Sequence, residues 1–145
     1  MAAADHIVFF HNEALAQELA PSTSAYYFGM LPARLLRLEG AALLFCGIFF
    51  YYSLRAGWTL FAALILWPDI SMLGYLVNPK LGSRLYNLVH TEVLPAALAA
   101  SSFALHRISL LAFALIWLCH IGFDRLIGAE LKYPTVVKDT HLQRV

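Results

Sequence analysis

The sequence predicts an all-α, polytopic membrane protein: a four-helix bundle with short loops, an N-terminal interfacial helix and a C-terminal cytoplasmic tail. Composition and spacing both point there. Of 145 residues, 61% are hydrophobic and only 13% charged, against about 45–50% and about 25% in soluble domains. Apolar runs of about 20 residues, enough for a helix to cross a hydrocarbon core of about 30 Å, recur four times. So little charge excludes a disordered chain and argues against a soluble globule. At this length one domain with one core is expected.

Residues 1–33 carry an apolar patch at Ile7–Phe10, then Ala14–Leu19 at helical spacing, a break at Pro21–Ser24, and Tyr26, Tyr27 and Phe28. This pattern predicts an interfacial helix too short to span, with aromatic rings at headgroup level. Asp5 and His6 replace the basic start of a signal peptide, and no small-residue cleavage site follows an apolar core.

The four predicted spans lie within residues 34–127, at about 35–54, 58–77, 85–105 and 108–127. Short connections make neighbours antiparallel. Pro79 and Gly82 read as breakers between the second and third spans, and Ala96/Ala100 and Ala97/Ser101 are small-residue pairs suited to close helix approach. Residues 128–145 form a polar, basic tail.

Orientation follows from Lys and Arg. One side carries Arg34, Arg37, Lys80, Arg84, Arg125, Lys132, Lys138 and Arg144; the other carries Arg55 and Arg107. This bias predicts a multi-pass protein of the cell inner membrane with both termini cytoplasmic. A net charge of +1 provides no basic field for nucleic acid. Cys46 and Cys119 lie in apolar runs and read as buried thiols. The expected partner is the lipid bilayer. Four short spans leave little room for alternating access without oligomerisation, and the pattern accommodates a homo-oligomer.

Ionisable residues inside a bilayer are expensive, which makes them functional candidates. Glu39, Asp69, His90 and His120 each fall roughly 7–10 Å inside the cytoplasmic end of their span, at about 1.5 Å per residue. Asp124 shares a helix face with His120 (i, i+4), as do Phe113 and Trp117. Tyr86 and Asn87 flank His90 at i−4 and i−3, placed to orient its ring. Pro68 invites a kink beside Asp69. Glu92, about 200° around the helix from His90, points elsewhere.

This set suits a divalent metal held by His90, His120, Asp69 and Asp124, with zinc, manganese or iron as candidates. Glu39 is a further candidate catalytic carboxylate. Lys132, Tyr133, Asp139 and His141 of the tail, together with Asn87 and Trp117, are expected to line or close the site. The alternative for these side chains is interhelical hydrogen bonding.

Leu35–Gly40, Pro68–Tyr75, Tyr86–Thr91, His120–Arg125 and the tail motifs Leu131–Pro134 and Lys138–Leu142 together resemble a family of small bacterial integral membrane proteins catalogued as a domain of unknown function. The resemblance covers residues 34–144 and implies a compact four-helix membrane protein whose motif residues belong together. It brings no activity, substrate or cofactor.

The function expected is that of a membrane-embedded enzyme with a His/carboxylate metal site in the cytoplasmic leaflet, hydrolysing a lipid-like or small apolar substrate. Two alternatives remain: a metal-independent acid/base isomerase or cyclase, and a non-enzymatic protein handling haem, an ion or protons. Haem is disfavoured because no C-x-x-C-H motif is present and the carboxylates would then lack a task.

Overall fold

A computed structural model describes residues 23–129 and 131–133, with side chains from residue 32 onward. The described regular elements are all helical: α1 (Thr23–Leu54), α2 (Trp58–Leu64), a 3-10 helix (Trp67–Leu76), α3 (Pro79–Val89), α4 (Val93–Ala104) and α5 (Ile108–Ile127). The chain divides into two compact units, residues 1–32 and 33–145. Only residues 23–32 of the first are described, and they are helical rather than part of a break. The predicted apolar patches before Thr23 lie outside the described residues. Among the described residues, Pro32–Leu54, Trp58–Leu76 and Ile108–Ile127 are long and apolar enough to cross a membrane. This is a helical membrane protein.

The central helix is α5, with ten buried residues. Its N-terminal half packs Ala112, Leu115 and Ile116 against Tyr51 of α1 and Phe61 and Leu64 of α2. The Tyr51 hydroxyl is buried against the turn after α1, donating to the Gly57 carbonyl at 2.7 Å. Further along, α1 and α5 approach closely through glycine: a Cβ at Gly122 would come within 2.8 Å of both the Gly40 carbonyl oxygen and the Leu44 nitrogen. The predicted small-residue pairs Ala96/Ala100 and Ala97/Ser101 instead face outward.

The second predicted span changes helix type where Pro68 enters. α2 ends at Leu64 and a ten-residue 3-10 helix continues from Trp67, far longer than the usual three or four residues. Its eclipsed i, i+3 rows separate cleanly. Ile70, Leu73 and Leu76 are exposed, while Pro68 and Gly74 are buried.

The third predicted span, 85–105, is two helices. Asn78 caps α3 by accepting from the Leu81 N–H at 2.8 Å, and Pro79 occupies the first turn, where its missing N–H is harmless. The expected breakers therefore start a helix. α3 ends at Val89, and α4 resumes at Val93. Pro95 explains the interruption: in a continuous helix its ring would clash with the Thr91 carbonyl, whereas in the first turn of α4 it is tolerated.

α3 has three faces, following 100° per residue. Gly82, Ser83 and Tyr86 are buried, Leu81, Leu85 and Leu88 are exposed, and Lys80, Arg84 and Asn87 form a polar edge. It is an amphipathic helix of the kind that lies along a membrane interface.

Candidate metal centre

Four side chains from three elements converge beside the C-terminal half of α5. His120 and Asp124 stand one turn apart on its buried face. Asp69 comes from the first turn of the 3-10 helix, and His90 caps the C-terminus of α3. The interruption after Val89 thus places an imidazole where an unbroken helix would have had another turn.

His90 is held in one tautomer. Its Nδ1 lies 2.9 Å from the Tyr86 carbonyl oxygen, which can only accept, so Nδ1 carries the proton. Its Nε2 therefore presents a lone pair, 3.1 Å from Nε2 of His120. Nitrogens this close need either a proton on His120 or a cation to which both donate.

The carboxylates complete the geometry with one atom each. His90 Nε2 is 3.6 Å from Asp69 Oδ1 and 3.5 Å from Asp124 Oδ2. His120 Nε2 is 3.5 and 3.7 Å from the same two atoms. All four ligand atoms lie within 4.8 Å of one another. Metal–ligand bonds of about 2.0–2.2 Å at tetrahedral angles set ligand atoms roughly 3.3–3.6 Å apart. The five stated edges cluster around that range, so this buried group can hold a metal ion. The spacing does not suit haem: axial imidazole nitrogens would be about 4 Å apart, two metal–nitrogen bonds end to end, and the carboxylates stand in the way.

Both His side chains are 2% exposed and Asp124 is 11% exposed, whereas Asp69 is 40% exposed. Three donors therefore form a buried base, and the fourth stands at the opening.

Tyr86 supports this group from α3. Its ring stacks on His90 at 3.6 Å between centroids. Its hydroxyl lies 2.6 Å from Asp124 Oδ2 and 2.9 Å from the Ala129 carbonyl oxygen. Ala129 is placed by the end of α5. Gly128 adopts a left-handed φ of 89°, and the N–H groups of Gly128 and Ala129 return to the carbonyls of Arg125 and Asp124, a Schellman turn.

That turn sends the chain back to α3. The Asn87 amide pairs with the Lys132 backbone in both directions, donating to its carbonyl at 2.9 Å and accepting its N–H at 2.7 Å. The Lys132 side chain is buried, with Nζ 4.0 Å over the Tyr86 ring. Burial draws its ammonium below the ordinary lysine range, opposed by Asp124 and Asp69.

Asp69, His90, His120 and Asp124 thus come together, with Asn87 and Lys132 beside them. Trp117 Nε1 donates to the Val89 carbonyl at 2.8 Å, tying the end of α3 to α5. Glu39 stands apart, exposed on α1; its neighbour Gly40 is the residue that meets α5. Glu92 points elsewhere and pairs with Arg125 at 2.7 Å, but the break between the two helices sets its direction, since it shares no helix with His90. Tyr133 is half-buried, and Asp139 and His141 lie outside the described residues. The Tyr86–Asp124 bond is absent from the sequence reading, because 38 residues separate the partners and periodicity reports only neighbours on one helix.

No curated protein and no solved structure matches the chain. The profile of a family described as a domain of unknown function (DUF4260) matches residues 33–145, the same region that carries the sequence motifs. The chain belongs to the DUF4260 family.

Proposed function

We propose that this protein is a membrane-embedded, metal-dependent hydrolase whose site faces the cytoplasmic leaflet of the cell inner membrane and receives a lipid-like substrate. The observation that carries this reading is the convergence of four single donor atoms from His90, His120, Asp124 and Asp69, all within 4.8 Å of one another, with the four His–carboxylate separations at 3.5–3.7 Å. Two imidazoles and two carboxylates suit zinc first, with manganese or iron as alternatives. A divalent cation also relieves the repulsion between the carboxylates.

A hydrolytic metal site has three protein ligands and an exchangeable position; a structural site has four. Asp69 supports the hydrolytic reading, since it is the exposed member and comes from a separate helix. His90, His120 and Asp124 form the fixed set. Asp69 stands at the open vertex, where it can accept a proton from water activated by the cation. The exposed apolar rows of the 3-10 helix and α3 suit an acyl or isoprenoid chain alongside the opening.

The test is metal content after purification without chelators and loading with zinc. The wild type is expected to carry about one equivalent, and His90→Ala and His120→Ala less than about a tenth, since each removes a principal ligand. A wild type below a tenth of an equivalent, or content unchanged in both variants, contradicts the reading.

A further inference from the structure

Beside the four donors stands a cation that the metal reading leaves unused. Lys132 is 9% exposed, unusually buried for a lysine. Its backbone is fixed by two hydrogen bonds with Asn87, one in each direction, so its position is built into the fold. Its Nζ rests on the face of Tyr86, whose hydroxyl reaches Asp124. The ion pairs of Asp69 and Asp124 within the site are instead with the two imidazoles.

Charge accounting gives this lysine its meaning. Two neutral imidazoles, two carboxylates and one divalent cation sum to zero. With Asp124 and Asp69, the carboxylates that act on it, then neutralised by the cation, Lys132 is a buried positive charge over a ring face, an arrangement that favours an anion. A polar wall lies near by. Tyr75 shares the eclipsed row of Asp69, packs across Gly82 one turn before Tyr86, and has a buried hydroxyl without a hydrogen-bond partner among the described residues.

We propose that Lys132, with the metal centre, forms a subsite for a phosphate-bearing group, so that the substrate is an anionic phosphate ester rather than a neutral apolar molecule. This rests on the metal reading above. The phosphate could belong to a lipid headgroup or to a free soluble ester; its recognition chemistry is the same. A tetrahedral anion places one oxygen toward the cation and another toward the ammonium, which a neutral ester group does not.

The test uses the zinc-loaded full chain in an uncharged detergent, titrated with dodecyl phosphate, inorganic phosphate and dodecanol and followed by tryptophan fluorescence. Lys132→Met and Lys132→Arg are compared with wild type, with zinc content measured for each. Wild type is expected to bind dodecyl phosphate at least tenfold more tightly than Lys132→Met, with Lys132→Arg within about threefold of wild type and zinc near one equivalent throughout. Dodecyl phosphate much tighter than inorganic phosphate assigns a lipid headgroup, and equal affinities assign a free ester; both carry the subsite. If dodecanol matches dodecyl phosphate, or Lys132→Met keeps both its zinc and wild-type phosphate affinity, the subsite is overturned while the metal centre stands. A wild type that holds no zinc overturns both. If Lys132→Met does not fold, a Lys132→Arg protein that retains zinc and loses phosphate binding more than tenfold also overturns the proposal.

Discussion

Tyr86 joins more of the centre than any of the four donors. Its carbonyl fixes the His90 tautomer, its ring stacks on His90 and carries the Lys132 ammonium, and its hydroxyl reaches Asp124. Groups that orient metal ligands typically change affinity by about 10–100-fold when removed. Tyr86→Phe keeps the ring and the carbonyl and removes only the hydroxyl. It is expected to weaken zinc affinity by about tenfold or more, measured by competition with a chromogenic chelator, while leaving stoichiometry near one. The ligands themselves were legible in the sequence because an ionisable side chain in an apolar run advertises itself. Tyr86 was legible only as a neighbour of His90, because a tyrosine in such a run carries no comparable signal. Glu39 advertised itself as Asp69 did, yet stands exposed on α1. Depth places a residue in a layer; the helical face decides whether it reaches the site.

Among the elements, the two departures from uniform α-helix both serve the site. The change of helix type at Pro68 positions Asp69, and the interruption caused by Pro95 leaves His90 at a helix end. Run length and hydropathy predict that a segment is helical and roughly how long it is. They do not register where a proline stops one helix and opens the next, which is why residues 85–105 read as one span. Gly122 sits where α1 and α5 touch, one turn from both Cys119 and Leu126 and adjacent to the level of the metal ligands. Gly122→Ala would press its Cβ against main-chain atoms of Gly40 and Leu44, which cannot rotate away. A loss of about 1–3 kcal/mol is expected, seen as a lower thermal midpoint in detergent; an unchanged midpoint would show that the helices are free to separate.

At the scale of the molecule the ends differ. The turns around Arg55–Gly57 and His106–Arg107 lie by the N-terminal half of α5, where the Tyr51 cluster packs. The ligands and the return of the chain to α3 lie by its C-terminal half. This polarity matches the distribution of Lys and Arg among the described residues, with Arg34, Arg37, Lys80, Arg84, Arg125 and Lys132 on the site's side and Arg55 and Arg107 on the other, and predicts the site toward the cytoplasm. In a chain with Cys46 and Cys119 replaced by alanine, Ala56→Cys is expected to react with an impermeant maleimide from outside intact cells. Lys80→Cys should react only after permeabilisation; the opposite pattern would place the site on the outer face.

X-ray absorption at the zinc edge of the loaded wild-type protein asks whether His90, His120 and Asp124 hold one cation with Asp69 at its open vertex. A first shell of four nitrogen or oxygen atoms at about 2.0–2.1 Å is expected, with outer-shell scattering from two imidazoles. His90→Ala, which is expected to hold little zinc, should not give this spectrum. A shell with sulfur, a shell without imidazole, or a spectrum indifferent to His90 would contradict this arrangement.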